Sequence, residues 1–236
     1  MTRRDNTFEG GVDGTVITSG NSGGASGDAF NIVVTNTPAT EPAFDNTHAI
    51  GTLSAHVAQT AAAADFCQVR WTALGDLAEA YGQICIYITA APPNTVSVCH
   101  SQTTAGGQLG RVRLLTSRLF AIANSAGTIV ATSTTPATTN DFTRVEWRWQ
   151  QSPNQFTIRI GLDVNSSSYI EELIGAMNDT TAYGRQEYGM SQAIGSGSYD
   201  YWMDSLVAGA TTWPSSVNVQ DSDDPPIGFS GRGAGW

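Results

Sequence analysis

Residues 144–164, RVEWRWQQSPNQFTIRIGLDV, decide the fold class. Val145, Trp147 and Trp149 alternate with Arg144, Glu146, Arg148 and Gln150. Ile158, Ile160, Leu162 and Val164 alternate in the same way with Thr157, Arg159, Gly161 and Asp163. A period of two puts apolar residues on one face of a strand and polar ones on the other, the pattern of half-buried β-structure. Working outward, strands are expected at about 28–35, 51–58, 65–73, 81–90, 95–100, 111–116, 118–123, 128–133, 169–176, 182–194 and 199–208. The run RLFAIANSAGTIVATS reads as a hairpin turning at Asn124, Ser125, Ala126 and Gly127. Only 58–66, AQTAAAADF, offers a turn of helix. Strands recurring at this spacing predict an all-β, two-sheet antiparallel jelly-roll sandwich. Its boundaries read as a short N-terminal arm (1–7), the sandwich (8–214) and a longer extended C-terminal arm (215–236).

Composition narrows the function. The chain has 236 residues, 40% of them hydrophobic, enough for a core. Its eleven basic residues are all Arg, against twenty-one acids, for a net charge of −10. Such a charge repels phosphate and argues against nucleic acid as a partner. No apolar run approaches the roughly 20 residues of a membrane helix. The opening MTRRDNTFEGG has no apolar run behind its arginines, so no signal peptide is expected. Cys67, Cys85 and Cys99 are odd in number and lack C-x-x-C spacing, which speaks for small buried residues made in a reducing compartment. Arg without Lys also suggests a GC-rich genome.

Two segments, NTFEGGVDGTVIT near the start and YDYWMDSLVAG near the end, together resemble the concanavalin A-like lectin/glucanase (laminin-G-like) jelly-roll superfamily. Within it they are similar to virion proteins, minor tail or capsid-decorating, of tailed phages of actinobacteria. The likeness spans about 7–214. It implies a structural, non-enzymatic accessory protein of a virion assembled in the host cytoplasm. Its implied partners are other virion proteins, further copies of itself and a host surface glycan. A free carbohydrate-binding module and a polysaccharide-degrading enzyme are the alternatives.

The resemblance implies that Glu9 and Asp204 share a structural calcium ion, the only cofactor expected; otherwise both are acids hydrogen-bonding a turn. Asp204 is expected on the strand face opposite Tyr201, Met203 and Val207. Catalytic residues are expected to be absent. Glu146 stands alone, Glu171 and Glu172 point to opposite faces, and Asp200 and Asp204 lie more than about 12 Å apart on one strand. His48, His56 and His100 sit in no recognisable motif. Tyr183, Arg185, Tyr188 and Tyr199 form the candidate glycan-binding group, because a ring with polar neighbours is what a sugar requires. The competing reading makes these rings caps on the core, and assigns Trp71, Trp147, Trp149 and Trp202 to sheet packing. Arg111, Arg113, Arg144, Arg148 and Arg159 belong to polar strand faces, either solvated or turned toward another subunit. Phe229 and Trp236 are the apolar anchors of the C-terminal arm and the candidate partner-docking residues.

Overall fold

The computed structural model describes residues 3–35, 41–59, 67–193 and 198–214. Phe229 and Trp236, and most of the helical turn expected at 58–66, lie outside the described residues. The strands are β1 (Arg4–Asn6), β2 (Ile32–Thr35), β3 (Ala43–Asp45), β4 (Ser54–Gln59), β5 (Cys67–Trp71), β6 (Glu79–Tyr87), β7 (Val96–Gln102) and β8 (Gln108–Leu114). They continue as β9 (Leu119–Asn124), β10 (Ile129–Pro136), β11 (Phe142–Gln150), β12 (Gln155–Gly161), β13 (Glu171–Ala176), β14 (Arg185–Ala193) and β15 (Tyr199–Ala210).

Two antiparallel sheets pack as a sandwich. The eight-stranded sheet runs β13-β12-β11-β6-β15-β4-β3, with β1 pairing β15, and the seven-stranded sheet runs β10-β9-β8-β7-β14-β5-β2. Non-local pairing builds the middle of each sheet: β15 lies between β6 and β4, and β14 between β7 and β5. The segment 1–7, expected as an arm, contributes β1, whose Arg4–Asn6 pair with Ala208–Leu206. Neither β1 nor β3 is expected from the pattern; three residues are too few to display a period.

The alternation on β11 places Val145, Trp147 and Trp149 in the core at 0% exposure. Trp147 stands opposite Gly82 of β6, and a Cβ on Gly82 would collide with its indole and with the Val207 carbonyl. The indole Nε1 donates to Tyr188 Oη at 3.2 Å, and that hydroxyl donates to the Val207 carbonyl, crossing the sandwich interior. A polar tip buried this deeply needs such a partner. Ile158 and Ile160 are core residues too, but β12 ends at Gly161 and Leu162 is 39% exposed. The chain turns there because Asp163 Oδ1 accepts from the Asn165 backbone at 2.9 Å, an Asx turn that competes with the strand.

A second departure lies on β15. Tyr201 and Met203 point inward and Asp204 outward, as the alternation requires. The register to β6 shifts between Asp204 and Val207, where Ser205 has φ of 50°. This bulge turns Val207 to the outer face beside Tyr81, while Leu206 and Ala208 join the core. Val207 therefore shares the face of Asp204 rather than opposing it.

Candidate functional site

The glycan-binding group expected around 183–199 does not form. Tyr183 and Tyr188 are core side chains at 0% exposure, and Tyr199 is buried among them. They alternate inward on or beside β14 and β15, so their rings pack on Trp147, Trp71 and Tyr201 instead of facing a sugar. Arg185 pairs with Gln102 near the end of β14 and meets none of these rings. The reading that made these aromatics core caps describes them correctly.

Glu9 and Asp204 converge on one segment, 50–53. Glu9 accepts from the Thr52 backbone at 2.9 and 3.1 Å and from Leu53 N at 3.3 Å, and also from the Thr52 hydroxyl. Asp204 Oδ2 accepts from Ile50 N at 2.9 Å, and Oδ1 from Ser205 N at 2.6 Å. Donors thus occupy the lone pairs that calcium requires, and no cluster of three or more metal-ligating side chains exists among the described residues. This geometry suits the turn-holding role. Burial, with the Glu9 charge adding to it, raises the Asp204 carboxyl to about 7.

The outer face of the eight-stranded sheet carries a group that the sequence reading did not assemble. His56, Trp202, Tyr87 and Phe142 stand in register across β4, β15, β6 and β11. The His56 ring stacks on Trp202 at 4.7 Å, and His48 stacks on Tyr87 at 4.0 Å while meeting Trp202 edge-on at 4.4 Å. The two imidazoles therefore pack against the Trp202 indole, which is 8% exposed, and His48 also against the Tyr87 ring. His56 Nε2 and Asp200 Oδ2 lie 3.0 Å apart, with side chains 29% and 46% exposed. Asp45 flanks them; burial raises its carboxyl, but hydrogen bonds from Thr47 and the proximity of Trp202 and His56 outweigh that and leave it below its usual value. A shallow depression lined by Ala58, Gln59, Ser198, Tyr199 and Asp200 adjoins the group.

Further along this face the polar residues are roofed over. Arg144, 0% exposed, donates through Nη2 to the Ser168 carbonyl at 2.8 Å and through Nη1 to that of Ser166. Glu146 lies 3.5 Å from Arg144, and burial raises its carboxyl despite the nearby guanidinia. Arg159 pairs with Glu172 at 2.6 Å and sits 3.8 Å under the Trp213 ring. These arginines form ion pairs and cation–π contacts within the chain rather than a solvated face.

The outer face of the seven-stranded sheet holds a charged row across β5, β14, β7 and β8: Arg70, Glu187, His100 and Arg111. Glu187 pairs with Arg70 through one oxygen and lies 3.1 Å from His100 Nδ1 through the other. Arg111 Nε donates to His100 Nε2 at 3.3 Å, so the ring is neutral with its proton on Nδ1. Burial lowers the His100 basicity further. Arg113 stands two residues beyond Arg111 on the same face. No pattern in the sequence marks this row, since its members come from four strands that pair out of chain order.

No family model and no curated protein matches the chain. Solved structures do. A cellulose-induced protein, Cip1, aligns over 87% of this chain and 97% of its own at 15% identity, with TM-score 0.55. A protein of unknown function from Shewanella oneidensis MR-1 aligns over 92% and 89% at 12% identity, with TM-score 0.54. A sialidase aligns over 76% of this chain at 8% identity and TM-score 0.53, this chain spanning only 17% of its length. At these identities the likeness concerns fold alone: the chain is a two-sheet antiparallel β-sandwich. It lends no support to the expected place in a virion.

Proposed function

We propose that this protein is a non-enzymatic carbohydrate-binding domain whose sugar-facing surface is the aromatic end of the eight-stranded sheet. The observation that carries this reading is the cluster of ring contacts among His48, His56, Tyr87 and Trp202 beside Asp200 and the adjoining depression. Sugars present C–H groups to ring faces and hydroxyl donors to carboxylates, and this group offers the half-exposed His56 ring beside the Asp200 carboxylate. Asp45 and Asp200 make the surface a hydrogen-bond acceptor without a guanidinium among its members, which suits a neutral saccharide.

Several features support binding without turnover. Glu146 has an arginine, not a second acid, as its near neighbour, and Glu171 is engaged by the Thr134 and Thr135 backbone at 2.8 and 2.7 Å. Both ring nitrogens of His100 are occupied, and Tyr183 and Tyr188 lie in the core beneath it. A paired-carboxylate or His–Tyr mechanism needs those groups free and convergent.

The test is a glycan array probed with the full chain and with Asp200→Ala. Retention of neutral glycans, at least tenfold weaker for the variant at unchanged circular dichroism, is the expected result. Absence of binding across the array overturns the reading. The resemblance in the terminal motifs extends it to an oligomeric accessory component of a tailed-phage particle that displays this face to host glycans. Detection of the chain in purified particles is the corresponding measurement.

A further inference from the structure

The outer face of the eight-stranded sheet carries a second group of rings, away from His56 and Trp202. Beyond β15 the chain brings Trp213 back over this face. Its ring meets Tyr81 of β6 edge-on at 5.2 Å and lies 5.6 Å from the guanidinium of Arg148 on β11 and 3.8 Å from that of Arg159 on β12. Tyr169, from the turn before β13, meets the same Arg159 guanidinium at 4.5 Å. One cation thus holds two rings that reach it from separate parts of the chain.

Core packing does not account for Tyr169, which is 45% exposed, with Ile170 beside it 55% exposed. Stacked on a guanidinium that Glu172 holds at 2.6 Å, the ring is fixed in place before any ligand arrives, which lowers the cost of binding one. The polar groups around Trp213 are matched in charge. Arg148 lies 4.0 Å from Glu79, and Arg159 pairs with Glu172. Each guanidinium here has its own carboxylate, so the group has no net pull on an anion. All four side chains keep part of their surface open, and they set N–H donors and carboxylate acceptors beside ring faces. The hydroxyl and C–H groups of an uncharged sugar require that combination.

We infer that Tyr169, Trp213 and the two ion pairs form a second saccharide site, so that the ligand of this sheet is a neutral polysaccharide chain held at two points. The inference rests on the proposed carbohydrate binding at His56 and Asp200. Tyr81, which meets Trp213, and Tyr87, which meets His48, both lie on β6. Their separation along the strand is roughly 20 Å at about 3.3 Å per residue. A short saccharide reaches one site only. A polymer reaches both, and its second contact is intramolecular, which raises affinity without new chemistry.

The experiment is affinity electrophoresis of the full chain in native gels containing galactomannan, xyloglucan, hydroxyethyl cellulose or acidic alginate. Tyr169→Ala, Tyr169→Phe and Asp200→Ala run beside the parent. At least one neutral polymer is expected to retard the parent, with affinity at least tenfold weaker in Tyr169→Ala and retained in Tyr169→Phe, which keeps the ring. Asp200→Ala is expected to weaken similarly, since losing either site forfeits the two-point hold. Tyr169→Ala is expected to melt with the parent, because the ring it removes is half exposed; a clearly lower melting temperature assigns the ring to folding and overturns the proposal. Equal retardation of parent and Tyr169→Ala also overturns it, and leaves the site at His56 and Asp200 standing where Asp200→Ala is weakened. Weakening in Tyr169→Ala with none in Asp200→Ala confines the sugar to the second site and refutes the two-point hold. Stronger retardation by alginate than by every neutral polymer refutes the neutral chain. Retardation by no polymer overturns both this site and the first.

Discussion

Asp204 on the last strand accepts the backbone N–H of Ile50 at 2.9 Å, a contact that spans 154 positions of the chain. The segment it holds leads back to His48, the outer ring over Tyr87. A carboxyl raised from 3.8 to about 7 by burial thus anchors the loop beside the aromatic surface.

The sign of its pH dependence follows from linkage. A group whose folded value is raised stabilises fully below its unfolded value and loses that contribution as pH climbs through the folded one. Asp204 therefore costs stability progressively between about pH 4 and 7, amounting to about 4 kcal/mol at roughly 1.4 kcal/mol per unit. Urea unfolding of the parent and Asp204→Asn across this range is expected to show the difference growing in the variant's favour with pH. A constant difference would refute the assignment.

Glu187 joins Arg70 and His100 in a buried row. Glu187→Gln strands Arg70 without its acid, and removal of one partner from such a pair costs about 3 kcal/mol. A fall in the urea midpoint without change in slope is the expected readout.

Gly82 makes room for the Trp147 indole. Gly82→Ala has no flexible neighbour to displace, since Trp147 is 0% exposed and Val207 meets the site with backbone. The expected loss is about 3 kcal/mol or more, of the kind caused by overpacking. Thermal melting of the purified variant checks it.

Cys67, Cys85 and Cys99 are free and buried, and burial raises all three thiols well above their usual value. Since the thiolate is the reactive form, the native chain is expected to resist a maleimide reagent. All three thiols should react in denaturant, and rapid labelling of native protein would contradict this packing.

The alternation in 144–160 and the hairpin at 124–127 carried most of the fold, because a period of two is a local property of consecutive side chains. Hydrogen bonding at that hairpin agrees, Gly127 N donating to the Asn124 carbonyl at 2.9 Å. The pattern failed where local chemistry interrupted it, at the Asx turn after Gly161 and the bulge at Ser205. Tyr183 and Tyr188 looked like sugar-stacking rings because their neighbours in the chain are polar, as a sugar site requires. Their inward alternation beside β14 made them core. The chain alone determined an acidic, Lys-free, all-β sandwich with a tryptophan-rich core. Which residues became neighbours was decided only by strand order. His56 meets Trp202, and Arg70 reaches the row of Arg111, because β4 pairs β15 and β14 lies between β5 and β7. Such pairings depend on burial summed over two whole sheets, and no local window of sequence contains that sum.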